Sequence, residues 1–380
     1  MVSKRVLSIK PSGIREIFEM ASVGAINLGL GELDFEPPKE AREAYKEALD
    51  NDRNRYGPTK GIDPLRELVA DKVRRYRSDI TPANVVITAS GTQGTMATFQ
   101  TLFEHGDEVL IPEPGFVLYE PDSVLADARP VVYPLLDESG FQPDIEALKA
   151  LITPRTKGLV VNSPSNPTGS VLNEESFRAL KDLAVDHDLW VVSDEVYEDF
   201  IYSGKHRSFN EIIERSVVLN SFSKSFAVPG WRIGYLTAPL ELVDHIAKMQ
   251  YHLVACPPTP PQFALAKVFK VQEEFTRGLI PIFDRRRRSM VDRLNAIEGV
   301  RCHLPEGAFY AFPSYELDIP SRDLARNLVS SGVICAPGTA FGERGEKHLR
   351  FSYAASDEDI VNGLAIVRKV MEAGGLGPGN

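Results

Sequence analysis

Seven short apolar runs, at 85–88, 108–111, 131–134, 159–162, 190–193, 217–220 and 233–237, are separated for the most part by helix-length stretches. No other feature constrains the chain as much. Strands joined by helical crossovers lie parallel, and parallel strands covered on both faces read as continuous apolar runs rather than alternating ones. Val85-Val86-Ile87-Thr88 and Val217-Val218-Leu219 read in that way. The fold class expected is α/β, with a large domain built on a mostly parallel seven-stranded sheet covered by helices and a smaller α+β domain made from both chain ends. Residues 48–280 fall to the large domain, and residues 1–47 with 281–380 to the small one. A length of 380 residues is ample for two such units.

In an open α/β sheet the loops at the carboxyl ends of the strands converge on one crevice, so the residues that follow each run carry the chemistry. Ser221-Phe222-Ser223-Lys224 closes the sixth run, and Arg232 stands eight residues further on. A lysine amine attacks a carbonyl only when desolvation or a neighbouring cation brings its pKa down from ~10.4. The hydroxyls of Ser221 and Ser223 and the guanidinium of Arg232 suit the oxygens of a phosphate. A compound that offers an aldehyde to the one and a phosphate to the other is pyridoxal 5'-phosphate (PLP). Alone, Lys224 reads more simply as a solvated surface lysine. Its neighbours decide between the two.

Asp194-Glu195-Val196-Tyr197 follows the fifth run. A carboxylate there can pair with the protonated ring nitrogen of PLP, and Tyr197 can reach the ring's phenolic oxygen. A helix cap at Asp194 and amphipathic packing at Tyr197 serve equally well. The fourth run leads into Asn162-Ser163-Pro164-Ser165-Asn166-Pro167-Thr168-Gly169, which is turn chemistry and by itself only a strand-to-helix loop. It leaves a strand of the same kind as the other two.

Taken in order with Gly29-Leu30-Gly31-Glu32-Leu33-Asp34-Phe35, Tyr56-Gly57-Pro58-Thr59-Lys60-Gly61 and Leu349-Arg350-Phe351-Ser352-Tyr353-Ala354, these segments make the chain similar to the class I/II aminotransferases of PLP fold type I, in the aspartate or aromatic subgroup. The resemblance runs over nearly the whole length. It implies a catalytic set of Lys224 as Schiff-base lysine, Asp194 on the pyridine nitrogen and Tyr197, with Asn166, on the phenolic oxygen. It implies a phosphate site of Ser221, Ser223, Arg232 and Ser90-Gly91-Thr92. That last stretch lies between the first run and a helix expected to start near Gln93, where backbone amides suit an anion. Phe116 matches the aromatic that stacks on the pyridine ring, and Tyr56 the tyrosine lent across a dimer to the partner's phosphate. Arg350 matches the arginine that forks onto the substrate α-carboxylate, and Gly31 the backbone position that meets the same group. Phe116 and Asn166 belong to the substrate side as well.

The activity implied is transfer of the amino group of an L-α-amino acid to 2-oxoglutarate, giving the 2-oxo acid and L-glutamate, by a cytoplasmic homodimer. Two rivals share the cofactor: a β-lyase of the C–S lyase type, and a non-catalytic PLP-binding regulatory module. The second needs a DNA-binding segment, for which no room is expected before Gly29 or after the last helix. As to the donor, overall similarity points to aspartate, whereas three positions point to an aromatic or broad preference. Phe116 offers no N–H where many aspartate-using relatives carry tryptophan. Thr92 stands where one aspartate-using subgroup has lysine, and the position of the partner-supplied arginine falls near Pro281.

A formal charge of −10 disfavours nucleic acid or an anionic membrane as partner, and no apolar run reaches transmembrane length. The amino-terminal segment lacks the hydrophobic region of a signal peptide. Cys256, Cys302 and Cys335 are too far apart for a zinc or redox pairing, and no metal site is expected. The run Arg285-Arg286-Arg287-Arg288 is read as ion pairing with nearby acids such as Asp284 and Asp292, not as a nucleic-acid patch. The glycine-rich end from Gly374 to Asn380 is expected to fray.

Overall fold

The computed structural model describes residues 2–11 and 13–377. Pro378, Gly379 and Asn380, part of the tail expected to fray, lie outside the described residues. The part of it that is described is tied down, with Asn327 Nδ2 donating to Gly375 O at 2.7 Å.

The seven runs form one sheet: β1 (Val85–Thr88), β2 (Glu108–Glu113), β3 (Arg129–Pro134), β4 (Thr156–Asn162), β5 (Trp190–Asp194), β6 (Ser216–Ser221) and β7 (Gly234–Thr237). Their order across the sheet is β1-β7-β6-β5-β4-β2-β3. Only β7 runs against the rest, pairing antiparallel with both β1 and β6. The sheet is therefore mostly parallel, as the run pattern predicts.

Burial on both faces explains why the strands read as they do. Val85 and Ile87 of β1 point into a core with Leu65, Val69 and Leu265, whereas Val86 between them joins Ala97, Phe99 and Ile246 on the other side. In β4, Leu159 and Val161 pack with Phe177, Leu180 and Leu183, while Val160 faces Phe99 and Val192. The covering helices begin where capping residues allow. Ser90 Oγ accepts from Gln93 N at the start of α1 (Gly91–Leu102), and Asn173 caps α2 (Glu174–Asp186) through Ser176 N at 2.7 Å.

A further core joins the two chain ends. Ile17, Leu28 and Leu33 pack there with Phe283 and Met290 of α3 (Val271–Asn295), Leu328, Phe351, and Leu364 and Val367 of α4 (Asp357–Glu372). Tyr197 and Phe200, from the segment after β5, enter the same core and couple it to the sheet. The positions 47/48 and 280/281 lie inside the helices Lys39–Asp50 and α3.

The arginine run sits on α3 and is engaged throughout. Arg285 pairs with Asp357, Arg286 with Asp34, and Arg287 and Arg288 with Asp284. Arg286 and Arg287 are buried rather than superficial. Cys302 and Cys335 are buried and Cys256 half-buried, all free thiols.

Candidate active site

The carboxyl ends of β1, β4, β5 and β6 open on one cavity of about 270 Å³. Because β7 runs the other way, its first residues, not its last, lie at that edge: Gly234 pairs with both Thr88 and Ser221. Arg232, just before β7, thereby arrives beside Ser221 and Ser90, and all three line the cavity. The approach is close. A Cβ on Gly234 would stand 2.8 Å from Asn220 O and Gly91 N, so only glycine fits between the strand and the start of α1.

Every sequence-predicted site residue except Tyr56 lines this cavity: Gly31, Ser90, Gly91, Thr92, Phe116, Asn166, Asp194, Tyr197, Ser221, Ser223, Lys224, Arg232 and Arg350. Tyr56 is 91% exposed and is not part of its own chain's cavity wall.

Lys224 lies in the single turn Phe222–Ser225 that Ser221 caps through Ser223 N at 3.1 Å. Its Nζ donates to Gly31 O. Desolvation pulls the amine down to about 8, opposed by the Glu32 carboxylate and helped by the positive charges of Arg350 and Arg232. Asp194 is 7% exposed, and burial pushes its carboxyl up to about 6. Against that, Tyr119 Oη donates to Asp194 Oδ2 at 2.8 Å and Val196 N to Oδ1 at 3.3 Å, which favours the ionised form. The Tyr197 and Tyr310 hydroxyls share a hydrogen bond of 2.8 Å, and burial keeps the Tyr197 phenol protonated far above its ordinary range.

Arg350 is 3% exposed, lies 4.5 Å from the Tyr310 ring centroid and 4.9 Å from that of Phe341, and donates through Nη1 to Asn166 Oδ1 at 2.8 Å and through Nη2 to Gly29 O. Its Nε has no partner among the described residues. No carboxylate pairs with it: among the described residues Arg350, Lys224 and Arg232 make no ion pair, although the arginine run on α3 is fully paired. A buried, unpaired guanidinium is costly unless an anion completes it. With Asp194 as the one carboxylate on the wall among the described residues, these carry an excess of positive charge there.

Tyr119 and Tyr310 were not read from the sequence. Tyr119 sits 75 residues from Asp194 on a short helix, and no spacing rule joins the two. The only signal was its place three residues after Phe116. Tyr310 belongs to a two-residue strand, and its role shows only in space: a Cβ on Gly31 would meet its hydroxyl at 2.0 Å. Ile14, Leu30, Leu118 and Val196 complete an apolar wall.

Glu195, Glu198 and His206 are close enough to suggest a metal centre. Their oxygens are already occupied: Glu198 accepts from Lys72, Arg75, Tyr76 and Asn220, and Glu195 from Ser193, Phe209 N and His206. The cluster is a buried ion network. No helix among the described residues is long and apolar enough to cross a membrane.

The family model for aminotransferase class I and II matches residues 23–366. The chain is 39% identical to a probable aspartate aminotransferase of Methanocaldococcus jannaschii over 98% of this chain and all of that one. It is 37% identical to the aromatic-amino-acid aminotransferase 2 of Thermococcus litoralis, covering 98% of both. The aspartate aminotransferase of Thermus thermophilus solved with maleate superposes with a TM-score of 0.92 at 36% identity, covering 97% of this chain and 99% of that one. The chain belongs to the class I and II aminotransferases, a PLP-dependent family, and is a transaminating enzyme. Its residues fit that cofactor. Hydroxyls and a guanidinium gather at one end, a buried carboxylate lies on the wall, and a desolvated amine reaches the space they share.

Proposed function

We propose that the enzyme moves the amino group of an L-α-amino acid, aromatic or broad in class rather than strictly acidic, to 2-oxoglutarate, giving the 2-oxo acid and L-glutamate. The observation that carries this reading is the set of three cavity cations without carboxylate partners. Two anions are needed to complete them, and a phosphate and an amino-acid carboxylate are two such anions.

PLP, when bound, supplies an aldehyde that condenses with amines and a ring that takes up the electron pair released at Cα. Ser90, Gly91, Thr92, Ser221, Ser223 and Arg232 hold its phosphate, with Tyr56 contributed by a second copy of the chain. Phe116 covers the ring, and Asn166 and Tyr197 hydrogen-bond its phenolic oxygen. Asp194 keeps the proton on the ring nitrogen, and Tyr119 holds Asp194. Arg350 takes the substrate α-carboxylate on its fork with the Gly31 N–H, which has no partner within the described chain. Lys224, near pKa 8, is a free base often enough at neutral pH to move the proton from Cα.

Among the described residues, Arg350, Lys224 and Arg232 are the only cations on the cavity wall, and none is added there to meet a distal carboxylate. Ile14, Leu30, Phe116 and Leu118 instead offer apolar burial. The exposure of Tyr56 is what supports a homodimer, and the cytoplasm is the proposed location. The joining of both chain ends in one core supports a small domain of 1–47 and 281–380 against a large one of 48–280.

The test is to mix the holoenzyme with each of the twenty amino acids in the absence of oxo acid. Conversion to the pyridoxamine spectrum, with phenylalanine at least comparable to aspartate, supports the reading. Release of ammonia and pyruvate would mark a β-lyase. Preference for aspartate by more than ~100-fold, or about 2.7 kcal/mol, would require a cation beyond the three that the described residues place in the cavity.

A further inference from the structure

The residues 28–34 form a strap across the cavity. At its start, Leu28 N donates to Ile334 O at 3.0 Å and Leu28 O accepts from Ser352 N at 2.6 Å, on the strand that carries Arg350. Asn27 Oδ1 accepts from Gly29 N at 3.1 Å and Leu30 N at 3.0 Å, which turns the chain over. Gly29 O then meets Arg350, and Gly31 O meets Lys224. Tyr310 lies so close to Gly31 that the strap has no room for a side chain there.

The far end is held differently. Asp34 N donates to Ala354 O at 3.0 Å, and the Asp34 carboxylate receives both prongs of Arg286, Nη1 at 2.7 Å and Nη2 at 2.8 Å. The Arg286 side chain is only 6% exposed and that of Asp34 27%. The guanidinium is packed against two rings, 5.1 Å from the Phe35 centroid and 5.9 Å from that of Phe283. A two-pronged pair with low exposure fixes direction as well as distance, which an exposed single contact does not. Arg286 thus joins α3 to the strap three residues past Gly31.

We propose that Arg286 is a positioning residue: by clamping Asp34 it fixes the strap whose Gly29 and Gly31 backbone shapes the substrate-carboxylate end of the site. The proposal rests on Arg350 and Gly31 as the α-carboxylate site. Neither Arg286 nor Asp34 lines the cavity, so their effect on substrate passes through the strap. Loosening it displaces Gly31, whose carbonyl accepts from Lys224, and the Gly29 carbonyl that braces Arg350, while the cofactor-side groups carried by β1, β5 and β6 keep their strand pairing.

The holoenzyme is compared with Arg286→Lys, which keeps the charge but loses the fork, and with Asp34→Asn, all at full cofactor load and well below each variant's melting temperature. Asp357→Asn is the control, because Asp357 touches Arg286 Nε at 3.4 Å and pairs with Arg285 but, among the described residues, its carboxylate makes no hydrogen bond to the strap. KM for the amino acid and for the oxo acid should both rise about tenfold in the two strap variants, the scale of weakening one charge-assisted hydrogen bond to the carboxylate. Turnover and the cofactor spectrum should change little, the double variant should be no worse than either single one, and Asp357→Asn should match wild type. Unchanged KM in Arg286→Lys, or an equal rise in Asp357→Asn, overturns the proposal. Arg350→Lys in the same assay separates the premises. If it leaves KM unaltered, the carboxylate site is misassigned; if it raises KM while the strap variants do not, only the clamp is wrong.

Discussion

Asp194→Asn should make the cofactor-free protein more stable at alkaline pH while crippling the holoenzyme. Burial raises the Asp194 carboxyl from 3.8 to about 6, so the folded chain binds this proton more tightly than the unfolded chain. The contribution favouring the fold is complete below 3.8 and is lost as pH climbs through 6, which leaves a buried charge at pH 8. About two pH units at ~1.36 kcal/mol each put the cost near 3 kcal/mol. Asparagine carries no such charge and can still accept from Tyr119. For 380 residues, at ~2.1 cal/mol/K of unfolding entropy per residue, that difference is a rise of roughly 4 °C in Tm. Scanning calorimetry of cofactor-stripped wild type and Asp194→Asn at pH 8 and near pH 4 checks it, with the gap present at the first and absent at the second. A gap of equal size at both pH values, or a less stable variant at pH 8, would refute the reasoning. With PLP restored, the variant should lose at least ~100-fold in turnover, since an amide cannot hold the pyridinium electrostatically.

Lys224→Ala should fold normally and turn over nothing, and borohydride reduction of wild type should label Lys224 alone on peptide mapping. With the amine near 8, the rate of PLP capture by stripped enzyme should rise with pH up to that value and level off above it, because only the free base attacks. Arg350→Lys should weaken every donor alike by about 1.5 to 3 kcal/mol, read as kcat/KM, because all share the α-carboxylate; a penalty confined to acidic donors would place Arg350 at the side-chain pocket. Tyr119→Phe removes the 2.8 Å hydrogen bond that opposes the upward shift of Asp194, so the acid limb of the kcat profile should move to higher pH; an unmoved limb would mean that Asp194 is held without it.

The sheet was legible because most of its strands are buried on both sides, so Val85-Val86-Ile87 needs no alternation to be recognised; the edge strand Arg129–Pro134 is the exception. The residues at strand ends were legible for the same reason: Asp194 and Ser221 each follow an apolar run directly, and Lys224 comes three residues after Ser221. What escaped were contacts between distant segments. Tyr119 meets Asp194 across 75 residues, and Tyr310 meets Gly31 from a strand of two residues, too short to show a period. Arg286 was read correctly as ion-paired, yet its neighbours in the run have the same composition, and only the fold shows which guanidinium is buried against Asp34.

The reversed strand β7 gives the site a division of labour. Because it returns antiparallel from the Lys224 turn, the lysine and Arg232 hang from one hairpin on the rigid sheet, eight residues apart and braced by Gly234 against α1. Gly31, Tyr310 and Arg350 come instead from the core that joins the chain ends. Substitutions that reshape the second group leave the hairpin's own strand pairing intact. A scaffold wired in this way can change what it reacts without relearning how to hold its reagent.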